Sequence, residues 1–177
     1  NKLFPCPKTI LGDFSQAVNP NRLCTLEDLH QFYEGSALMR LEKSYRSTWE
    51  IIHFAKQIVT ETDFQAVERH GPAPDLHAFS TEEEELVEIL RQVETFQQSK
   101  YNAMGIITPE SSSFQGGALV LSIQMSKGLE FDQVLVPLAN QETYHTDFDR
   151  NLLYVASTRA MHQLSFTCAG PVTPLLP

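Results

Sequence analysis

The sequence predicts an α/β fold: a mostly parallel sheet with helices on both faces. Two observations carry this. Short apolar runs alternate along the chain with segments of helical period, the pattern of parallel strands joined by right-handed crossovers and covered on both sides. Capping residues precede several of the helical segments and Gly follows the first, so the alternation is punctuated where such a chain requires it. The length of 177 residues suffices for one buried core, and no internal repeat is present.

The elements follow in order. Lys8-Thr9-Ile10-Leu11 reads as a short buried strand ending at Gly12-Asp13. Thr25 is the expected N-cap of a helix running to about Glu34, stopped by Gly35. Ala37 to Leu41 reads as a strand. Ser47-Thr48-Trp49-Glu50 has the residue types of a capping box, opening a helix with Ile51, Ile52, Ala55, Ile58 and Val59 on its apolar face. Glu61 to Pro74 is polar, ends in Gly71-Pro72-Ala73-Pro74 and reads as loop. Asp75 to Phe79 is a short strand. Ser80 or Thr81 caps a long helix to about Ser99, with Leu86, Val87, Ile89, Leu90, Val93 and Phe96 expected inside. Met104 to Ile107 reads as a buried strand, and Ser111-Ser112-Ser113 with Gly116-Gly117 as loop. Ala118 to Ile123 and Gln133 to Pro137 are two further strands. A helix from about Phe148 to Ala160 and a strand from Gln163 to Thr167 close the pattern.

Composition narrows the function. With 42% hydrophobic and 20% charged residues the chain has an ordinary globular make-up. A net charge of −9 argues against a uniform basic face for duplex DNA, although a site needs only a few placed cations. The run Glu82-Glu83-Glu84-Glu85 holds part of the acidic surplus and reads as a helix N-terminus meeting the macrodipole rather than a docking patch. No run of about 18 apolar residues occurs, so no membrane helix is expected. Asn1-Lys2-Leu3-Phe4-Pro5 has neither an initiator Met nor a signal-peptide layout, which leads us to expect a piece of a longer chain. Cys6, Cys24 and Cys168 form neither a disulfide framework nor a zinc pattern, so a reducing cytoplasm and no metal site are expected.

Phosphate chemistry needs backbone amides, a Lys, a hydroxyl for magnesium and an acid at a strand end. The Gly-x-x-x-x-Gly-Lys-Ser/Thr loop is absent: Lys127-Gly128 has the wrong order, and no strand ends in Asp-Glu. The chain alone is therefore not expected to hydrolyse ATP. It has the complement instead. Arg46 and Arg159 stand at the ends of elements and suit bidentate phosphate contact, as two arginine fingers reaching a γ-phosphate across an interface would. Tyr45-Arg46 after one strand and Lys127 to Glu130 after another fit the rule that ligands sit outside the carboxyl ends of strands.

Four segments then resemble the motifs of UvrD/Rep-type superfamily 1 helicases, in the family's order. Leu11-Gly12-Asp13-Phe14-Ser15-Gln16 resembles motif III, at the end of the first RecA-like domain. Leu41-Glu42-Lys43-Ser44-Tyr45-Arg46-Ser47 resembles motif IV. Ser122-Ile123-Gln124-Met125-Ser126-Lys127-Gly128-Leu129-Glu130-Phe131-Asp132 resembles motif V. Leu152-Leu153-Tyr154-Val155-Ala156-Ser157-Thr158-Arg159-Ala160 resembles motif VI. The resemblance implies residues 1–35 as the tail of a preceding first RecA-like domain and residues 36–177 as the second, a RecA-like sheet of the P-loop NTPase type without a large helical insertion. It implies that Tyr45 stacks on adenine, Glu130 contacts the ribose, Arg46 and Arg159 reach the γ-phosphate, and Gln16 senses it. ATP with Mg2+ would be held in the full-length protein, with none expected in this piece. The implied partners are the missing N-terminal domain and single-stranded DNA, touched by Ser122, Gln124, Ser126 and Lys127.

The departures are specific. Motif V usually opens Thr-x-His in the DNA translocases, where this chain has Ser122 and Gln124. Ala17-Val18-Asn19-Pro20 offers no base-stacking aromatic, and of the spare aromatics Tyr33, Trp49 and Tyr101, Trp49 reads as core packing. The interval from Ser47 to Ser122 is too short for the large helical subdomain of the translocases, and Glu110 to Gly117 is short for a crossover. A compact second domain, Gln124 and the ending Thr158-Arg159-Ala160-Met161-His162-Gln163-Leu164 resemble the helicase IV/HelD branch, whose HelD-type members are ATP-driven factors that bind RNA polymerase.

Overall fold

A computed structural model describes residues 9–12, 28, 31–33, 35–37, 39, 43–59, 65–109 and 118–177. Its elements in chain order are β1 (Lys43–Ser44), α1 (Trp49–Ile58), β2 (Gln65–Ala66), β3 (Asp75–Phe79), α2 (Glu82–Gln97), β4 (Met104–Thr108), β5 (Leu119–Ser122), α3 (Ile123–Ser126), β6 (Phe131–Val136), α4 (Asp147–Ser157) and β7 (Ala160–Ala169). Five strands form one sheet in the order β3-β7-β6-β4-β5, and every pairing in it is parallel. β1 and β2 make a separate two-stranded parallel ribbon.

Helices cover both faces. Under α1 and α4 lies the larger core, with Ile51, Ala55, Ile58, Leu153, Val155 and Phe166 among its buried residues. Under α2 lies a smaller one of Ile89, Val93, Met104, Ile106 and Leu135. The inner strand β4 carries no alternation: all five of its residues are buried, as a strand covered on both faces requires. Gly105 is essential to this fit, since a Cβ there would lie 2.8 Å from the Phe131 ring. No described helix is long and apolar enough to cross a membrane.

The predicted alternation is present, with local corrections. Thr9 to Gly12 form no strand and Ile10 and Leu11 are exposed, because no described strand lies alongside to pair with them; Lys8 lies outside the described residues. Asp28, Gln31 and Phe32 are helical and Gly35 has φ of +79°, a left-handed stop as expected, whereas Thr25 lies outside. Ala37 and Met39 carry no strand, which comes later at Lys43–Ser44 and pairs with β2 inside the segment read as loop. β6 begins at Phe131 rather than Gln133, and Ile123 opens α3 instead of ending β5. β7 starts at Ala160, so α4 ends at Ser157 and Arg159 stands in the turn between them. The loop residues Ser111 to Ser113, Gly116 and Gly117 lie outside the described residues.

The expected capping box at Ser47 does not form. Thr48 is the N-cap of α1 without a side-chain cap bond, and Ser47 donates instead to the carbonyl of Ala160 at 2.6 Å. Glu50 turns outward to the Gly71 amide and His70. A capping box does form at α4, where Thr146 and Asp149 exchange bonds with each other's backbone N–H.

Helix α2 is rotated from its predicted setting. Leu86, Val87 and Leu90 are exposed, whereas Glu85 and Gln92 are buried. The cause is the Glu85 carboxylate, which accepts from the Leu138 amide at 2.9 Å and the Thr167 hydroxyl at 2.8 Å. Those bonds offset its desolvation and hold Leu138 at φ of +57°, a left-handed conformation that a non-Gly residue adopts at a cost. Glu85→Ala orphans the buried Thr167 hydroxyl and the part-buried Leu138 amide, at roughly 1–3 kcal/mol for the buried one, and is expected to cost about 2–3 kcal/mol in urea unfolding. Glu85→Gln, which keeps an acceptor, should cost less.

Asp149 gives a pH signature. Burial alone would raise its carboxyl, but bonds from the His145 and Thr146 amides and the Thr146 hydroxyl outweigh it and hold the group below its ordinary value of 3.8. A depressed carboxyl contributes stability that is full above the unfolded value and lost as pH falls through the folded one. Urea unfolding between neutral pH and about pH 3 should therefore show a shallower acid limb for Asp149→Asn than for the native chain.

Candidate functional site

The residues singled out in motifs IV, V and VI meet where β6 and β7 begin. Phe131 pairs with Ala160, and the Phe131 amide donates to the Arg159 carbonyl at 3.0 Å. The chain enters β6 through a turn in which the Leu129 amide bonds the Ser126 carbonyl and Gly128 takes φ of +89°. That glycine is needed, because a side chain disfavours the left-handed region. The turn leaves Glu130 at the mouth of β6.

Arg159 lies at the same place, 1% exposed. Its Nε donates to the Val155 carbonyl at 3.2 Å, Nη1 to the Leu129 carbonyl at 3.3 Å and Nη2 to the Thr158 hydroxyl at 3.1 Å. The guanidinium therefore joins the end of α4 to the turn that carries Glu130.

Arg46 comes from the ribbon side. Its Nη2 lies 2.5 Å from Glu130 Oε1, with the two side chains 40% and 41% exposed. An ion pair so exposed stabilises the fold by no more than about 1 kcal/mol, so its significance is positional. Tyr45 beside it is 70% exposed. Ser47 and Thr48 bind this segment to β7, through the Ser47 hydroxyl on the Ala160 carbonyl at 2.6 Å and the Thr48 amide on the Met161 carbonyl at 3.2 Å. Ser47→Ala is expected to cost about 1 kcal/mol in urea unfolding, the ordinary worth of one buried hydrogen bond.

Arg46, Glu130 and Arg159 thus converge, with Tyr45 next to them, at the amino ends of β6 and β7. Tyr45 and Arg46 follow the carboxyl end of β1, as the carboxyl-end rule expects, whereas Lys127 to Glu130 lead from α3 into β6. That rule describes strand-to-helix turns, whereas Glu130 and Arg159 stand where the chain enters a strand.

The other candidates part company. Ser122 accepts from the Met125 amide at 3.3 Å as the N-cap of α3, and the buried Ser126 donates to the Ile123 carbonyl at 2.8 Å. Both hydroxyls serve α3, while Gln124 and Lys127 are exposed. Gln16 lies outside the described residues. Trp49 is not core: it is half-exposed and stacked on His53 at 3.5 Å between ring centroids. Tyr101 stacks on His162 at 5.2 Å.

Sequence reading missed the segment Arg69-His70-Gly71, which it took for loop. The Arg69 guanidinium donates to the carbonyl of Arg46 and to that of Met161, the latter at 2.9 Å. No motif marks it; an Arg two residues before a Gly in a polar stretch was the only trace.

Residues 117–167 match the UvrD-like helicase C-terminal domain family. That segment contains Glu130 and Arg159 and ends within β7. The structure is similar to the C-terminal domain of a possible DNA helicase from Lactobacillus plantarum WCFS1, at 28% identity and a TM-score of 0.61, over 75% of this chain and 91% of that one. Fainter likenesses reach the PRRSV helicase, at 18% identity and a TM-score of 0.43 over 74% of this chain and 23% of that one. Arterivirus nonstructural protein 10, a helicase in complex with DNA, shows 16% identity and a TM-score of 0.42 over 72% of this chain and 25% of that one. No curated protein matches the sequence. The parallel sheet is of the RecA-like kind found in helicase C-terminal domains, as the motifs led us to expect.

Proposed function

We propose that this chain is the second RecA-like half of a DNA helicase-like ATPase and closes over ATP held by a companion domain. The observation that carries the reading is the meeting of Arg46, Glu130 and Arg159 at the start of β6 and β7, with Tyr45 exposed beside them. The residue types suit the parts of a nucleotide. The Tyr45 ring offers a face for adenine. Glu130 offers a carboxylate to a sugar hydroxyl, and Arg46 a fork to phosphate. As it stands Arg46 is paired with Glu130, so arrival of the nucleotide exchanges a weak exposed pair for a phosphate contact and releases Glu130 toward the sugar. Arg159 acts from one layer deeper. Its acceptors include two neutral carbonyls, and a phosphate oxygen is the stronger partner for a guanidinium. The phosphate loop, the magnesium ligands and the catalytic carboxylate would come from the companion domain, of which residues 1–35 form the tail, with Gln16 reporting the γ-phosphate.

Single-stranded DNA is the partner that this reading implies, with Gln124 and Lys127 as the outward groups of motif V. One observation favours a second reading, a HelD-like factor that works on RNA polymerase with little unwinding: the hydroxyls of Ser122 and Ser126 are used inside α3. Strand displacement on a tailed duplex, set against capture of polymerase by the intact protein, separates the two.

The nucleotide roles have a direct test. In the intact protein Arg46→Ala and Arg159→Ala should each lower ATP turnover by about 10³-fold, the lower range for an arginine finger. ATP binding, measured by calorimetry, should remain detectable. Turnover unchanged in both variants would rule the reading out.

A further inference from the structure

We propose that Arg69 is a positioning residue for Arg46: the segment Arg69-His70-Gly71 is a strap that sets the arginine of motif IV against the start of β7. The inference rests on the nucleotide-site reading above. The strap is bonded along its whole length. The Trp49 amide donates to the Arg69 carbonyl at 2.8 Å, and the Gly71 amide donates to Glu50 Oε2 at 2.9 Å. His70 Nδ1 lies 2.8 Å from Glu50 Oε1. That His70 contact, with the amides of Glu50 itself and of Gly71, holds the Glu50 carboxyl below its ordinary range. Gly71 lies against the residue that follows the motif: a Cβ there would fall 2.7 Å from Cγ2 of Thr48.

From this anchorage the Arg69 guanidinium reaches two carbonyls at once, those of Arg46 and Met161. One belongs to the residue that carries the exposed cation. The other belongs to β7, two residues after Arg159. A single terminal nitrogen, Nη2, makes both bonds and so ties the backbone of motif IV to that of β7 just after motif VI. Fixing both carbonyls constrains the point from which the Arg46 side chain departs, and with it where the guanidinium reaches phosphate. The rigid, planar guanidinium aims that nitrogen between the two carbonyls, whereas the flexible stem of a Lys does not fix its ammonium there.

The arrangement is a poor device for stability alone. Nε of Arg69 is buried without a hydrogen-bond partner, and an orphaned buried donor destabilises. The guanidinium keeps the orientation that serves the two carbonyls rather than one that satisfies all its donors.

The test is a mutant cycle in the intact protein. Arg69→Ala should lower kcat for ATP hydrolysis by about tenfold or more with KM for ATP within about twofold, as expected when a group is misplaced for the transition state rather than for binding. Arg69→Lys should fall between it and the native protein. If Arg69 acts through Arg46, adding Arg69→Ala to Arg46→Ala should leave kcat where Arg46→Ala put it, whereas a merely structural role gives additive losses. Glu85→Ala is the control for destabilisation, being far from the strap's bonds: it should lower the Tm and leave kcat unchanged below it. If Arg69→Ala fails to fold, Arg69→Lys alone and on Arg46→Ala carries the cycle. Native kcat in the Arg69 variants, or additivity with Arg46→Ala, overturns the inference provided Arg46→Ala itself is impaired. If Arg46→Ala turns over ATP normally, the nucleotide-site reading falls, and the inference with it.

Discussion

The candidate site depends on one junction, the parallel pairing of Phe131 with Ala160 at the start of β6 and β7. Every residue of interest is within a few bonds of it. Glu130 precedes Phe131, Arg159 precedes Ala160, and Ser47 holds the Ala160 carbonyl. The junction is rigid because the interior around it is full. Phe131 lies over Gly105 with no room for a methyl group, and Ala160 and Leu164 are buried in the larger core. Sheet packing, rather than any one salt bridge, fixes the relative positions of three motifs that are far apart in sequence.

The two arginines are held in different ways. Arg46 is half-exposed and its carboxylate partner is equally so; the pair can separate at little cost. Arg159 is enclosed, and its hydrogen bonds reach back into α4 and across to the Leu129 turn. A movement of α4 would therefore reach Glu130 through the Arg159 side chain. Arg46 moves instead with its own segment, which is tied to β7 and to Arg69. These are two separate mechanical connections to one surface.

Much of this was legible in the sequence, and what was not has physical causes. Ile51, Ile52, Ala55 and Ile58 gave the buried face of α1 because helical periodicity needs no knowledge of partners. The unalternating run of Met104 to Ile107 gave a doubly covered strand for the same reason. α2 was misread because a buried carboxylate overrode its apolar stripe, and only the tertiary partners Leu138 and Thr167 explain why Glu85 faces inward. The capping box at Ser47 was misread because Ala160, 113 residues away, takes the hydroxyl that would have capped the helix. At the site the arginines and Glu130 were visible through motif spacing. Arg69 was not, since its role is to bind backbone carbonyls, which carry no sequence signature.

The position of the candidate site at the amino ends accords with the rest of the fold. The carboxyl ends of β6 and β7 are closed by the chain itself. The Ala139 amide bonds the Thr167 carbonyl at 2.8 Å, the Thr173 amide the Ala139 carbonyl at 3.0 Å, and the Thr173 hydroxyl the Tyr144 carbonyl at 2.6 Å. Asn140 and Val172 add an antiparallel bridge, and Glu85 fills the space beside Leu138. Among the described residues, those backbone groups at the carboxyl ends of β6 and β7 are spent on one another. At the amino end the described groups include an exposed Tyr45, a half-exposed Arg46 and a Glu130 held only by that arginine's ion pair. A parallel sheet ordinarily presents ligands with its carboxyl ends. In this chain the described carboxyl ends of β6 and β7 are bonded internally, and the groups of the candidate site stand at the amino ends of those strands.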